Sequence, residues 1–240
     1  MAIRTLIACA ALSVCATSIA RADEPPPTPP RLFHIPTGHI QPAGRGHGSA
    51  GADHRGGGLF ALTYGLGGVA DLDVEVTDRF VTADDDERPH ASALFKLGLG
   101  ERQLGFWHPA AALGFRKSFA GQSDEIAELF VATSTSLGPV NLHAGANYWG
   151  GVEQVRPFGG FEWRTGIYPR TTLLADLSWA PDLDTDDPSL RWLGAWGVRY
   201  QAFAWGSIEL GVRHREDQSL RDSTVFVRVN GVTTARLFQD

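Results

Sequence analysis

Polar and charged side chains alternate with apolar ones through much of this sequence, and that spacing gathers them on one face of extended chain. Asp71, Asp73 and Glu75 share such a face. Lys96, Arg116, Glu128, His143, Glu162, Arg164, Asp176, Arg199, Glu209, Arg213 and Arg228 occupy the corresponding face further along. Acids and bases in similar number on one wall have two chemical uses. Around an open space they attract ions or small polar solutes, with Asp71, Asp73 and Glu75 drawing cations and Arg116, Arg164, Arg199 or Arg213 narrowing the bore. Around a filled space they pair with one another and hold the wall together.

Other chemistry is sparse. His143 shares its row with Asn141 and Asn147 but has no serine on its own segment, and Ser134 and Ser178 have no base close in sequence. A lipid hydrolase would also need its nucleophile and base facing lipid near a rim, whereas His143 belongs to the inward row. Asp84-Asp85-Asp86-Glu87 and the four aspartates within Asp182 to Asp187 offer oxygen ligands for divalent cations. Both lack the later glutamate of a full calcium loop, so solvated acidic loops are expected. The series His34, His39, His47 and His54 offers weak ligands for a transition ion at most, in the least ordered segment and without a metal-binding spacing. Gly65-x-Gly67-Gly68 joins two strand-like segments, the setting of a hairpin turn and not of a phosphate-binding loop. No catalytic residue, cofactor site or metal site is assigned. A formal charge of -6 gives no reason to expect nucleic acid as a partner.

The elements that position the charged row are strands. From residue 57 to 230 apolar and polar side chains alternate with period two. Ala70, Leu72, Val74 and Val76 lie opposite Asp71, Asp73 and Glu75, and Val140, Leu142, Ala144, Ala146 and Tyr148 lie opposite Asn141, His143, Gly145 and Asn147. Eleven segments read this way, although 125–131 also fits two helical turns. The outward rows are almost free of charge, and Trp163, Trp179, Trp196, Tyr64 and Tyr148 stand on them at places suited to a lipid–water boundary.

A soluble sandwich alternates too, but there the apolar rows pack on a second sheet. Here uncharged outward rows fit lipid, where an ionised side chain costs about 2–4 kcal/mol at the midplane. An open sheet edge would leave backbone groups unpaired in hydrocarbon, so the sheet must close. Closed bacterial barrels have even strand numbers, which places a twelfth strand at about residues 39–48. Short links at 65–68, 137–139, 166–169 and 203–206 alternate with longer polar ones at 78–90, 181–189 and 214–222, as periplasmic turns alternate with external loops.

The start of the chain reads as a cleaved secretory signal over residues 1–22, with Arg4, an apolar run from Leu6 to Ala16 and the small-x-small site Ala20-Arg21-Ala22. Cys9 and Cys15 both fall within it, so the remainder has no disulfide, thiolate nucleophile or Cys-ligated metal. Residues 23–38 are expected as a proline-rich periplasmic segment, 39–230 as the barrel and 231–240 as a tail. Signal, repeated strands, polar interior and alternating link length together resemble the small outer-membrane beta-barrels of Gram-negative bacteria. That resemblance implies an all-β, closed antiparallel transmembrane barrel of twelve strands in the cell outer membrane, porin-like in form. It implies contact with outer-membrane lipid and lipopolysaccharide and with the export and barrel-assembly machinery. The chain departs from the class in ending Leu237-Phe238-Gln239-Asp240, not on an aromatic residue. The expected function is a narrow pore or transport barrel for ions or small polar solutes. The alternatives are a structural or adhesion barrel with a plugged lumen and acidic external loops, and then an outer-membrane lipid hydrolase.

Overall fold

A computed structural model describes residues 29–77, 90–99, 110–119, 127–182, 189–216 and 218–233. The expected signal over 1–22, the acidic loop at 84–87, most of that at 182–187 and the terminal Phe238 lie outside the described residues. Twelve strands follow one another: β1 (Gly46–Asp53), β2 (Gly58–Leu66), β3 (Ala70–Thr77), β4 (His90–Gly98), β5 (Ala110–Ser118), β6 (Ala127–Leu137), β7 (Val140–Trp149), β8 (Gln154–Arg164), β9 (Thr171–Asp182), β10 (Ser189–Phe203), β11 (Gly206–Arg215) and β12 (Thr224–Val232). Each pairs antiparallel with its sequence neighbour, and β1 pairs with β12, Ala50 opposite Val229, to close the barrel. The described part of the segment whose start, 125–131, also fits helical turns is β6, from Ala127; Phe130 and Ala132 face inward while Leu129 and Val131 are exposed.

The barrel is inside-out relative to a water-soluble protein. Asp71 and Glu209 are 0% exposed and Lys96 1%, while Leu72 on the same strand as Asp71 is 44% exposed and Leu210, beside Glu209, 55%. The outward rows of Leu62, Val74, Phe95, Phe115, Val131, Leu177, Val198 and Val227 are all exposed. A continuous apolar belt of this kind is stable only against lipid. Trp163, Trp196 and Tyr148 stand exposed on it.

The interior is not uniformly polar. Leu59, Leu94, Phe130, Phe158, Leu174 and Phe226 point inward and are buried. Three of the rings repeat one device. Phe130 pairs with Gly114, Phe158 with Gly145 and Phe226 with Gly211, and a Cβ added to any of these glycines would come within 2.1, 2.3 and 2.5 Å of the ring. Each ring therefore lies flat over the neighbouring strand, in space that only glycine leaves free.

The structure differs from expectation ahead of β1. Residues 39–45 form no part of a strand, and β1 starts at Gly46. Of the stretch expected as periplasmic over 23–38, residues 29–38 are described, and 30–38 lie inside the barrel. Residues 30–38 fold as a tight hairpin inside the lumen, with Arg31 bridged to Pro36, the Leu32 amide donating to the Ile35 carbonyl at 3.0 Å and the Thr37 amide to the Pro30 carbonyl at 3.1 Å. Leu32, Phe33 and Ile35 at its tip are buried in a cluster with Phe130, Phe158, Leu174 and Phe226. The Phe33 ring meets Phe226 edge-on at 5.1 Å. Burial of these three side chains contributes roughly 1.5–3 kcal/mol each toward seating the hairpin. The chain then leaves the lumen through a turn at Pro42–Arg45, in which Gly44 takes φ 74° and the Arg45 amide donates to the Pro42 carbonyl. Glycine suits that left-handed position. This exit lies at the end carrying the short strand connections, the periplasmic end of an outer-membrane barrel.

Candidate functional site

A hairpin without a partner strand carries main-chain groups that no ladder satisfies, and prolines at 29, 30, 36 and 42 reduce the number of donors among them. The remaining groups are met by the wall. Asp176 accepts the His34 amide at 2.7 Å and the Ile35 amide at 3.4 Å. Ser134 Oγ accepts the Gly38 amide at 2.7 Å, and Asp71 accepts the Gln41 amide at 2.9 Å. Lys96 Nζ donates to the carbonyls of His39 at 2.5 Å and Pro30 at 3.3 Å, while Arg228 donates to those of Leu32 at 2.8 Å and Phe33 at 3.2 Å.

One hairpin side chain completes the charge pattern. Arg31 lies between Asp73, at 2.7 Å, and Glu75. Burial disfavours its charge, but the two carboxylates outweigh that and hold its pKa above the ordinary arginine value. Thr63 Oγ1 donates to Asp73 as well, at 2.7 Å.

The remaining wall charges pair across strands. Lys96 sits 3.1 Å from Asp71, and Arg116 sits 3.3 Å from Glu128. Arg199 bridges Glu162 at 2.8 Å and Glu209 at 2.7 Å, and Glu209 also receives Arg228 at 2.5 Å. Arg213 reaches Asp53 at 3.4 Å. Arg164, expected in this row, is exposed at the end of β8 near the short turns, and its backbone amide donates to the Pro139 carbonyl. The other inward-row residues thus surround the hairpin or one another, and the acid row Asp71, Asp73 and Glu75 faces Lys96 and Arg31, not an open bore.

His143 acquires a partner from the adjacent strand, with Ser134 Oγ 2.7 Å from its Nδ1. The pair is buried, Ser134 at 2% and His143 at 2% exposure, on the lumen side and beneath the hairpin. It therefore lacks the access to lipid that hydrolysis at the membrane would need, and Ser134 instead anchors Gly38. Close packing reinforces that anchor: a Cβ on Gly38 would lie 2.4 Å from the Ala110 carbonyl oxygen and 2.9 Å from the Ser134 nitrogen. Gly38→Val is expected to lift the hairpin at a cost of about 1–3 kcal/mol. The check is trypsin digestion of the folded protein, with cleavage at Arg31 or Arg45 while the barrel keeps its heat-dependent electrophoretic shift.

Between the hairpin tip and the end with the long links lies a cavity of about 40 Å³. It is lined by the tip together with Glu75, Arg116, Glu128, Asn147 and Trp149. Arg31, His34, Asn147 and Trp149 were not among the residues that the charge pattern singled out. A usable signal was present, since Leu32-Phe33-His34-Ile35 is an apolar patch between prolines that a solvated linker does not need.

Comparison with solved structures finds porins of the same architecture. The KdgM porin is 8% identical, with a TM-score of 0.56, covering 80% of this chain and 99% of the porin. The NanC porin is 10% identical, with a TM-score of 0.52, covering 78% of this chain and 98% of the other. Outer membrane phospholipase A from Escherichia coli is 13% identical, with a TM-score of 0.47, covering 83% of this chain and 99% of the other. No protein-family model matches the chain, and no curated protein matches its sequence. At these identities the porin likenesses establish a fold. A closed antiparallel barrel with an apolar belt is a membrane barrel of the outer-membrane type, and this chain is a porin-like outer-membrane β-barrel of twelve strands.

Proposed function

We propose that the protein is a plugged outer-membrane barrel, closed to ions at rest, with a structural lumen whose charged side chains hold the hairpin in place. The observation that supports this most directly is the bonding of the hairpin main chain by Asp71, Lys96, Ser134, Asp176 and Arg228. Those side chains act as hairpin ligands, which leaves them unavailable to conduct ions. Phe130, Phe158 and Phe226 pack in one apolar cluster with Leu32, Phe33 and Ile35 of the tip, which supports a filled lumen at that level.

A second reading, transport through a lumen that the hairpin gates, draws support from one feature. The barrel closes through β1 and β12 without using the hairpin, so withdrawing it breaks no strand pairing. Planar-bilayer conductance of the folded mature protein separates the two. Silence of the intact protein, with discrete openings only after deletion of residues 29–43, is the expected result. Reproducible openings of the intact protein would overturn the closed reading and restore a narrow pore for small polar solutes.

A further inference from the structure

We propose that an open seam between β8 and β9, in the outer half of the wall, is a headgroup site for lipopolysaccharide, taking a lipid phosphate on Arg156. The two strands pair only from Gly159 opposite Leu177 to Arg164 opposite Thr172. Beyond Gly159, residues 154–158 remain paired with β7 and residues 178–182 with β10, but not with each other. Pro157 and Pro181, one in each stretch, lack the amide hydrogen that a strand between two neighbours uses.

Side chains pass through the seam. Continuing the register would set Phe158 opposite Ser178 and Pro157 opposite Trp179, with Arg156 on the inward row and Trp179 on the outward one. In a closed ladder those two rows lie on opposite faces of the sheet. Here the Arg156 guanidinium stands over the Trp179 ring, 5.0 Å from its centroid. Trp179 also lines the lumenal cavity together with Phe158 and Ser178, which places the ring in the gap between the strands.

The level of the seam and its charge define the occupant. Arg164 marks the short-turn end of β8, so residues 154–158 lie toward the external end. Tyr148, paired with Val155, and Trp192, paired with Trp179, put further rings on the outward face at this height. Such rings sit where headgroups meet hydrocarbon. Polar partners for unpaired backbone groups exist there and are absent from the hydrocarbon below. Arg156 is half-buried, donates to Gln154 Oε1 at 2.6 Å and meets no carboxylate among the described residues. A guanidinium with its face on an indole keeps its edge for an oxyanion. Lipid surrounds this wall, so the anion within reach is a lipid headgroup. On the external side of this class of barrel that lipid is lipopolysaccharide, whose lipid A anchor is phosphorylated.

The seam belongs to the wall, so the inference does not rest on the closed reading: conductance tests one and lipid binding the other. The mature protein is folded in neutral detergent and titrated with lipid A, dephosphorylated lipid A and phosphatidylglycerol, with bound lipid read by native mass spectrometry. One lipid A is expected to bind saturably and about tenfold tighter than either of the others, the worth of a charge-assisted hydrogen bond. Arg156→Gln, checked by its heat-dependent electrophoretic shift, is expected to lose about that tenfold, and Arg156→Lys to keep part of it. Deuterium exchange locates the lipid, with the amides of 154–158 and 178–182 expected to slow when lipid A is bound. Where Arg156→Gln does not fold, lipid A and its dephosphorylated form on the unaltered protein carry the test. Equal affinity for those two forms, unchanged affinity in folded Arg156→Gln, or slowed exchange only elsewhere on the barrel would leave water in the seam and overturn the proposal. Phosphatidylglycerol binding as tightly as lipid A would overturn the assignment to lipopolysaccharide.

Discussion

Glu209→Ala is expected to lower the stability of the barrel by about 3–5 kcal/mol, the usual cost of removing one partner from a buried ionic group. Glu209 is fully buried and receives Arg199 Nε at 2.7 Å and Arg228 Nε at 2.6 Å. Without it, two guanidinium groups remain on β10 and β12, the strands on either side of β11, 7% and 2% exposed. Glu162 still offsets Arg199 through a 2.8 Å contact, but Arg228 keeps no carboxylate among the described residues, with the Leu32 and Phe33 carbonyls and the face of the Phe33 ring as its neighbours. Glu209→Gln retains an acceptor and the side-chain volume, so its loss should be smaller than that of alanine. The measurement is urea unfolding in phospholipid vesicles. Equal stability of Glu209→Ala and the unaltered protein would show that water enters the lumen and solvates both arginines.

Arg31→Ala is expected to unseat the hairpin while leaving the barrel folded. Its removal strands Asp73 and Glu75, which are 4% and 3% exposed and lie on the same face of β3. Two buried carboxylates without their cation repel each other and draw water or cations into the lumen, a change of about 3–5 kcal/mol against the seated state. Because the hairpin contributes no strand to the closed sheet, this energy falls on the hairpin rather than on the wall. The expected readout is trypsin cleavage at Arg45 and discrete conductance, with the heat-dependent electrophoretic shift of the barrel retained. Adding Asp73→Asn and Glu75→Gln to Arg31→Ala removes the repulsion and should return most of the closure. Full protection and silence in Arg31→Ala would show that Leu32, Phe33 and Ile35 seat the hairpin unaided.

Strand identity was legible because it is a local property. Alternation at Ala70–Val76 or Val140–Tyr148 assigns each side chain to a face without reference to any other part of the chain, and the inward positions of Asp71, His143 and Glu209 follow from parity alone. The twelfth strand rests on a different argument, the even count of closed bacterial barrels. Its position was not legible, because Gly38 to Arg45 alternates no better than a loop and its structure depends on Ala110, Ser134, Asp71 and Gly65 elsewhere in the chain.

The sequence by itself therefore determined a closed twelve-stranded barrel with a charged interior and an apolar exterior: the two faces rest on period-two spacing and the solvent each meets, closure on the pairing of backbone groups in hydrocarbon, and the count on the even number of closed bacterial barrels. Only the tertiary structure decided what the charged interior surrounds. Arg31 meets Asp73 across 42 residues and Arg228 meets Leu32 across 196. A carboxylate on an inward row has the same sequence signature whether its partner is a passing cation, a wall arginine or the amide of a hairpin. Distance along the chain hides which of these it is, and the fold brings the hairpin to it.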